Sequence, residues 1–161
     1  MKFGDKGKVS GHVRYVGRNE AGEVIYEHEH NVELGEHNTV CDLHYDLICA
    51  YMAGSTPTLI THGHCGTGTG QVATDTNLDT PIQEARQAID SKTQGGGGSE
   101  HILTVVFTEA AGDCTGSLRE CGLFTTVNWN SATLMLYDDS LVFDKGALDT
   151  LEVTWTITYS N

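Results

Sequence analysis

The sequence contains two His-x-His pairs, the residues in this chain best suited to hold a metal ion. His28 and His30 fall in one segment that alternates like a strand, and His62 and His64 stand near the end of another. Side chains two residues apart on a strand share a face, so two adjacent strands could bring four imidazoles to one zinc ion. Neither pair has an established zinc spacing, and half-buried histidines commonly bond to backbone or water. We therefore predict no metal and no cofactor, and name these four histidines as the weak candidates.

The five cysteines are an odd number, so complete internal pairing would leave one over. Cys114 and Cys121 flank six residues, and a hairpin there would bring the two thiols within disulfide distance. Cys49 is predicted to lie on the polar side of a helix, where an exposed thiol can link two chains in an oxidising medium. For all three we favour reduced thiols in the cell, because proteins in the cytoplasm rarely keep disulfides, and the disulfides are the alternative after release into an oxidising medium.

The remaining candidates for catalysis lack the spacing that chemistry needs. Residues 66–70, GTGTG, have no following lysine and serine or threonine, which a phosphate-binding loop requires. Cys65 and His64 are neighbours on a predicted strand, so their side chains point to opposite faces and are poorly placed for proton transfer. No serine elbow and no His-Glu-x-x-His motif occurs. We predict that the protein is not an enzyme.

Two features are candidates for contact with a partner. An acidic stripe on one face of residues 23–34 would dock on a basic patch or protect an edge strand from aggregation. A tryptophan in the turn 128–131 would stack on a sugar or pack locally. The interaction candidates are Glu23, Glu27, Glu29, Glu33 and Trp129.

Length and charge limit the classes of function. The chain has 161 residues, a length typical of one domain, and we predict a single domain over residues 1–161. A formal charge of −13 disfavours nucleic acid and anionic membranes as partners. The first residues lack the apolar core of a signal peptide, and no apolar run approaches the length of a membrane span. We therefore expect synthesis in the cytoplasm without a signal peptide.

Hydrophobic periodicity predicts one helix among many strands. Residues 39–53 place Val40, Leu43, Leu47 and Tyr51 on one arc, and Gly54 is suited to end the helix. Elsewhere apolar residues alternate with polar ones, most clearly in 151–159, while 81–91 is ambiguous between strand and helix. Residues 95–99 suit either a linker or a hairpin tip, and we favour the tip because the apolar segment 102–107 follows, which we predict to be a strand buried on both faces. About eight strands predict an antiparallel β-sandwich of jelly-roll or immunoglobulin-like type with one amphipathic helix.

Four short motifs in the second part of the chain resemble a family of small tailed-bacteriophage structural proteins. They are the GTGTG loop at 66–70, Asp-Thr-Asn-Leu at 75–78, Glu-Cys-Gly-Leu-Phe at 120–124 and the strand 151–157 with its Leu-x-Val-x-Trp-x-Ile pattern. Members of this group are tail, fibre or capsid-associated proteins, and small β-sandwich virion components often assemble as trimers. The many histidines and cysteines depart from the family pattern.

The resemblance implies a structural component of a tailed-phage virion. We expect a capsid decoration or cement protein, a homotrimer that bridges major capsid subunits and stabilises the shell. The alternative is a tail-fibre or neck-appendage module that binds a receptor or a glycan. In either case the expected partners are other copies of the chain and other virion proteins, without nucleic acid or membrane.

Overall fold

A computed structural model describes residues 8–32, 38–41, 46, 49–56, 59–98 and 100–160. In these ranges the protein is mainly β, and every pairing between strands is antiparallel. The strands are β1 Lys8–Arg18, β2 Val24–Val32, β3 Asn38–Val40, β4 His62–Gly66, β5 Gln87–Ala88, β6 Ser91–Gly95, β7 Glu100–Glu109, β8 Gly116–Leu118, β9 Glu120–Phe124, β10 Leu134–Asp138, β11 Phe143–Lys145 and β12 Thr150–Ser160.

The longest strands form a five-stranded sheet, sheet A, in the order β2-β1-β12-β7-β6. Its central strand β12 pairs with β1 from Ser160 opposite Lys8 to Thr150 opposite Arg18. The alternation predicted for the end of the chain is confirmed, since every second residue of β12 from Leu151 to Ile157 is fully buried, Tyr159 is partly buried, and the residues between them are more exposed. The buried residues are Leu151, Val153, Trp155 and Ile157.

A second five-stranded sheet, sheet B, has the order β3-β10-β9-β4-β5, and β8 pairs with β11 in a separate two-stranded sheet. All five residues of β9 are buried, and so are all five of β10. These two strands are therefore covered on both faces. The β6–β7 hairpin closes across the glycines at 95–98, as expected for a hairpin tip.

Both sheets contribute to one hydrophobic core. It contains Val13, Phe107 and Trp155 from sheet A together with Cys65 and Leu123 from sheet B. Sheet B approaches sheet A closely at Gly63, where an added Cβ would lie 2.2 Å from a ring carbon of Phe107. Only a residue without a side chain fits at this point.

Replacing Gly63 with alanine should therefore destabilise the fold. We expect Gly63→Ala to lower the free energy of unfolding by about 1–3 kcal/mol, because the Phe107 ring must leave its preferred position. Urea denaturation followed by circular dichroism measures this change. The matched control is Gly97→Ala, whose added methyl meets no atom within 4 Å. A Gly63→Ala protein as stable as that control would contradict the close packing.

The helix predicted over residues 39–53 is wrong at its start. Thr39 and Val40 belong to β3 and pair with Tyr137 and Leu136 of β10. Both residues are β-branched, and pairing with β10 outweighs the local helical periodicity. Residues 46 and 49–52 are helical, whereas 42–45 and 47–48, with most of the predicted apolar arc, lie outside the described residues. Tyr51, predicted on that arc, has 70% of its surface exposed.

The end of this helical segment agrees with the prediction. Gly54 has a φ of +83°, the left-handed conformation that glycine adopts without strain. The amide of Ser55 donates to the carbonyl of Ala50, and the amide of Gly54 donates to that of Tyr51, both at 3.0 Å. This pair of bonds is the Schellman motif.

The ambiguous segment 81–91 contains no helix. It is mostly irregular, with the short strand β5 and the first residue of β6. In β7, the predicted burial of both faces is also wrong. Val105 and Phe107 are fully buried, while Thr104 and Val106, which alternate with them, are partly exposed. Strand β7 therefore presents one face outwards.

Candidate functional site

Three buried side chains with metal-binding atoms meet between the two sheets. They are His64 of β4, Glu109 at the end of β7 and Cys114 in the turn before β8. The Nδ1 atom of His64 lies 3.6 Å from a carboxylate oxygen of Glu109 and 3.5 Å from the sulfur of Cys114. All three donor atoms are within 4.8 Å of one another. We call this group the HEC cluster.

The local backbone explains why the turn presents Cys114 to the cluster. Cys114 has a φ of +43°, a conformation that residues other than glycine rarely adopt. Its amide donates to the carboxylate of Glu84 at 2.9 Å. The buried ammonium of Lys145 donates to the carbonyls of Ala110 and Asp113, at 2.9 and 2.8 Å. These bonds fix Cys114 and the part of the turn that precedes it.

The imidazole of His64 has a defined orientation. Its Nε2 lies 2.7 Å from the carbonyl oxygen of Ile82, so this nitrogen donates a hydrogen and Nδ1 of the neutral ring presents a lone pair. The sulfur of Cys114 and the carboxylate of Glu109 both face that same Nδ1. In a nucleophile, base and acid relay, the thiol and the carboxylate contact opposite nitrogens of the ring. The HEC cluster therefore lacks the order of a proton relay.

The environment also suppresses nucleophilic chemistry at Cys114. Burial raises the pKa of its thiol far above the usual range, and the nearby charge of Glu109 raises it further. Only 1% of Cys114 is exposed. A protonated and inaccessible thiol cannot attack a substrate.

Glu109 is unusual among the buried carboxylates of the described residues. It is fully buried, yet neither oxygen has a hydrogen-bond partner. The buried carboxylates of Glu120 and Asp138, in contrast, accept several bonds. A buried carboxylate without a partner is costly to the fold, so Glu109 requires an explanation.

Sequence reasoning identified one member of the HEC cluster and missed two. His64 was a candidate because of the pair at 62 and 64. Glu109 was detectable as an acid at an inward position of β7, in step with the buried Val105 and Phe107. Cys114 was considered only for a disulfide, and no pattern linked it to His64, because its position depends on a turn 50 residues away from that histidine.

The other candidate histidines lie in separate surroundings. His28 is stacked on Tyr15, and His30 is 2.9 Å from Asp138 of sheet B. His62 bonds to the hydroxyl of Thr61, and burial lowers its pKa. Within the described ranges, the one group of three or more potential ligands is the HEC cluster. The four imidazoles are not brought to one point.

The predicted hairpin between Cys114 and Cys121 does not form. Strand β8 pairs with β11, and β9 pairs with β4 and β10, because the chain leaves the two-stranded sheet at Arg119 to enter sheet B. Cys114 and Cys121 are free thiols, and Cys121 lies opposite Cys65 in the β4–β9 register. Cys49 is exposed, as predicted.

The acidic stripe is partly neutralised by β1. Arg14 forms ion pairs with Glu27 and Glu29, at 2.6 and 3.3 Å. Glu23 instead closes the β1–β2 turn with Asn19. Glu33 lies outside the described residues. The stripe is therefore less available to a basic partner than its sequence suggests.

Buried Glu120, in the Glu-Cys-Gly-Leu-Phe motif, connects the GTGTG loop with the residues that follow the Asp-Thr-Asn-Leu motif. One of its oxygens accepts hydrogen bonds from the amides of Gly68 and Thr80, at 3.0 and 2.8 Å. The other accepts from the side chain of Gln71 and the amide of Asp79, at 2.6 and 2.9 Å. The GTGTG loop contributes one amide, that of Gly68, to a group of donors that surrounds a carboxyl group of the protein itself.

Buried Arg86 likewise connects a second group of loops through hydrogen bonds. No pattern in the sequence identified this residue. The four hydrogens on its two terminal nitrogens are shared among six hydrogen-bond contacts to neutral oxygens, and the guanidinium stacks 3.5 Å above the ring of Phe124. Burial lowers its pKa to about 10, so it remains charged at neutral pH. One acceptor is the carbonyl of Trp129, which anchors that turn. The Trp129 side chain is partly exposed.

Two open concavities of about 280 and 320 Å³ lie along β6 and β7. The first is lined by Gln94, His101, Ile102, Leu103 and Tyr159, and the second by Leu59, Ile60, Lys92 and Leu103. The ammonium of Lys92 is already bonded to the carbonyl of Ile60. Neither lining supplies an acid and a base that face each other.

Comparison with known proteins identifies no relative, since no family, no curated protein and no solved structure matches the chain. In the described part of the chain, no helix has the length and hydrophobicity needed to cross a membrane.

Proposed function

We propose that this protein is a structural component of a tailed-phage virion, a capsid decoration or cement protein that bridges capsid subunits and stabilises the shell. It acts by adhesion and has no catalytic activity. It assembles as a homotrimer of single-domain β-sandwich subunits of jelly-roll or immunoglobulin-like type. Its partners are the major capsid protein or other virion proteins.

The observation that carries the proposal is the convergence of the resembling motifs. The GTGTG loop and residues 79–80, which directly follow the Asp-Thr-Asn-Leu motif, both bond to Glu120 of the Glu-Cys-Gly-Leu-Phe strand, 40 to 52 positions further along the chain. Motifs that occur together for a structural reason support the resemblance better than isolated matches do. The same bonds use the polar atoms of these motifs within the fold, which supports a role other than catalysis.

Contacts between sheets A and B support the sandwich. The hydroxyl of Tyr15 in β1 donates to Asp138 in β10, and His30 in β2 contacts the same carboxylate. Gly63 of β4 meets Phe107 of β7 at the other side of the core. Contacts of this kind between the facing surfaces of two antiparallel sheets are typical of a β-sandwich.

The edge of sheet A formed by β6 is suited to contact between subunits. The edge strand β6 has all five residues exposed, and it borders both apolar concavities. Exposed edge strands and apolar patches are typical places for chains to join. The strongly negative charge keeps the remaining surface soluble and favours docking to basic sockets on a shell.

The number of copies per particle tests the proposed location. In particles of the phage that encodes the chain, we expect quantitative mass spectrometry to find it in numbers comparable with the major capsid protein. A symmetric shell offers one docking position for each small group of capsid subunits. A far lower number would contradict the decoration role and favour the tail-fibre or neck-appendage alternative, for which the anchored turn of Trp129 offers a binding surface.

A further inference from the structure

We infer that the HEC cluster is a structural binding site for one zinc-like divalent ion, ligated by Nδ1 of His64, the carboxylate of Glu109 and the sulfur of Cys114. The spacing of the atoms is the first argument. Donor atoms around a tetrahedral zinc ion lie about 3.4–3.6 Å apart, given the usual bond lengths to nitrogen, oxygen and sulfur. The nitrogen in the cluster is 3.6 Å from the oxygen and 3.5 Å from the sulfur.

The unpartnered carboxylate is the second and independent argument. Both oxygens of Glu109 are buried and make no hydrogen bond. A cation at the cluster gives this group the partner that it lacks. With the nitrogen and the sulfur, the three residues then offer three of the four donors of a tetrahedral zinc ion.

The orientation of His64 fits a ligand. In metal sites, the ring nitrogen that does not bind the ion usually donates to a carbonyl or a carboxylate, which fixes the ring. The Nε2 of His64 makes such a bond to Ile82. Nδ1 therefore points its lone pair at the space that the thiol and the carboxylate also face.

Charge balance favours a divalent ion. On binding, the thiol of Cys114 releases its proton to solvent and forms a metal–sulfur bond. The thiolate and the carboxylate of Glu109 then contribute two negative charges, which a doubly charged cation cancels. The buried site becomes neutral overall, as a site inside an apolar core requires.

The site would fasten three separate parts of the fold. It joins sheet B through β4, sheet A through the end of β7 and the turn that leads to β8. A thiolate and an imidazole select zinc and its transition-metal neighbours over magnesium or calcium, which prefer oxygen. We assign the ion a structural role because the cluster is closed to solvent, with His64 and Glu109 fully buried.

Cobalt substitution tests the site. The chain is produced in minimal medium with Co²⁺ as the added transition metal, then purified under reducing conditions. We expect one cobalt ion per chain and a near-ultraviolet charge-transfer band from sulfur to cobalt. Cys114→Ser should lose the band, whereas Cys49→Ser, which alters the exposed cysteine, should keep it. A folded wild-type protein without the band, or a band that persists in Cys114→Ser, would overturn the inference.

Glu109→Gln provides a second test that does not depend on the cysteine variant folding. This change removes a negative ligand, so we expect metal affinity to fall by about tenfold to a hundredfold or more. It also removes the buried charge, so the metal-free variant should unfold at a temperature at least as high as metal-free wild type. At equal zinc concentration, the unfolding temperature should then rise more in the wild type than in Glu109→Gln. Equal responses of the two proteins to zinc would contradict the assignment.

Discussion

Glu120→Gln is expected to lower the free energy of unfolding by about 3 kcal/mol, although it changes one atom and keeps the shape of the side chain. Each oxygen of Glu120 accepts two hydrogen bonds, from Gly68 and Thr80 on one and from Gln71 and Asp79 on the other. An amide nitrogen in the position of either oxygen would face two hydrogen-bond donors and could accept from neither. Urea denaturation monitored by circular dichroism measures the loss.

The position of the new nitrogen can be anticipated. The side-chain oxygen of Gln71 is buried without a partner, so a rotated Gln71 amide can accept a bond from the amide nitrogen that the substitution introduces. The amide of Asp79 is then left unsatisfied. We therefore expect hydrogen exchange to accelerate at Asp79 more than at Thr80.

An exposed acid provides the control for Glu120→Gln. Glu20 lies in the β1–β2 turn and is exposed to solvent, so Glu20→Gln should change the free energy of unfolding by less than about 0.5 kcal/mol. If Glu120→Gln matched this control, the four bonds would not hold the loop. The GTGTG loop would then need another explanation.

The strands that could be predicted are those whose pattern is local. In β1 and β12, alternating residues face the core, and the period of two appears directly in the sequence. β3 has only three residues, too few to show a period, and its pairing with β10 cannot be read from neighbouring positions. The helix prediction failed at Thr39 and Val40 for this reason.

The loops and the site could not be predicted because distant residues determine them. The path of residues 66–80 depends on Glu120, which lies 40 to 52 positions further along the chain than the amides it binds. The HEC cluster likewise requires Glu109 and Cys114 to return to His64. Single residues such as Glu120 and Arg86 carry no periodicity, so a pattern search does not identify them. Their importance appears only when burial and bonding are known.

Arg86→Lys should lower the free energy of unfolding by about 3 kcal/mol, even though the positive charge is kept. One terminal nitrogen of Arg86 donates to Thr126 and Thr133, and the other donates to Asn77, Trp129 and Ser131. A lysine has one nitrogen with three hydrogens and cannot reach both groups of acceptors. It also loses the planar contact with the Phe124 ring. Urea denaturation again gives the magnitude.

Tryptophan fluorescence separates loss of the loop contacts from general unfolding in Arg86→Lys. Trp129 is partly exposed in the turn that Arg86 holds, whereas Trp155 is fully buried in β12. In the folded variant we expect the emission of Trp129 to shift to longer wavelength while that of Trp155 stays constant, which single Trp→Phe backgrounds resolve. Arg18→Lys, at an exposed arginine with one long bond of 3.3 Å to Gly22, should leave stability and emission unchanged. If Arg86→Lys kept the stability and emission of the wild type, as Arg18→Lys should, the positive charge alone would hold the turn of Trp129. The planar geometry of the Arg86 guanidinium would then contribute nothing to it.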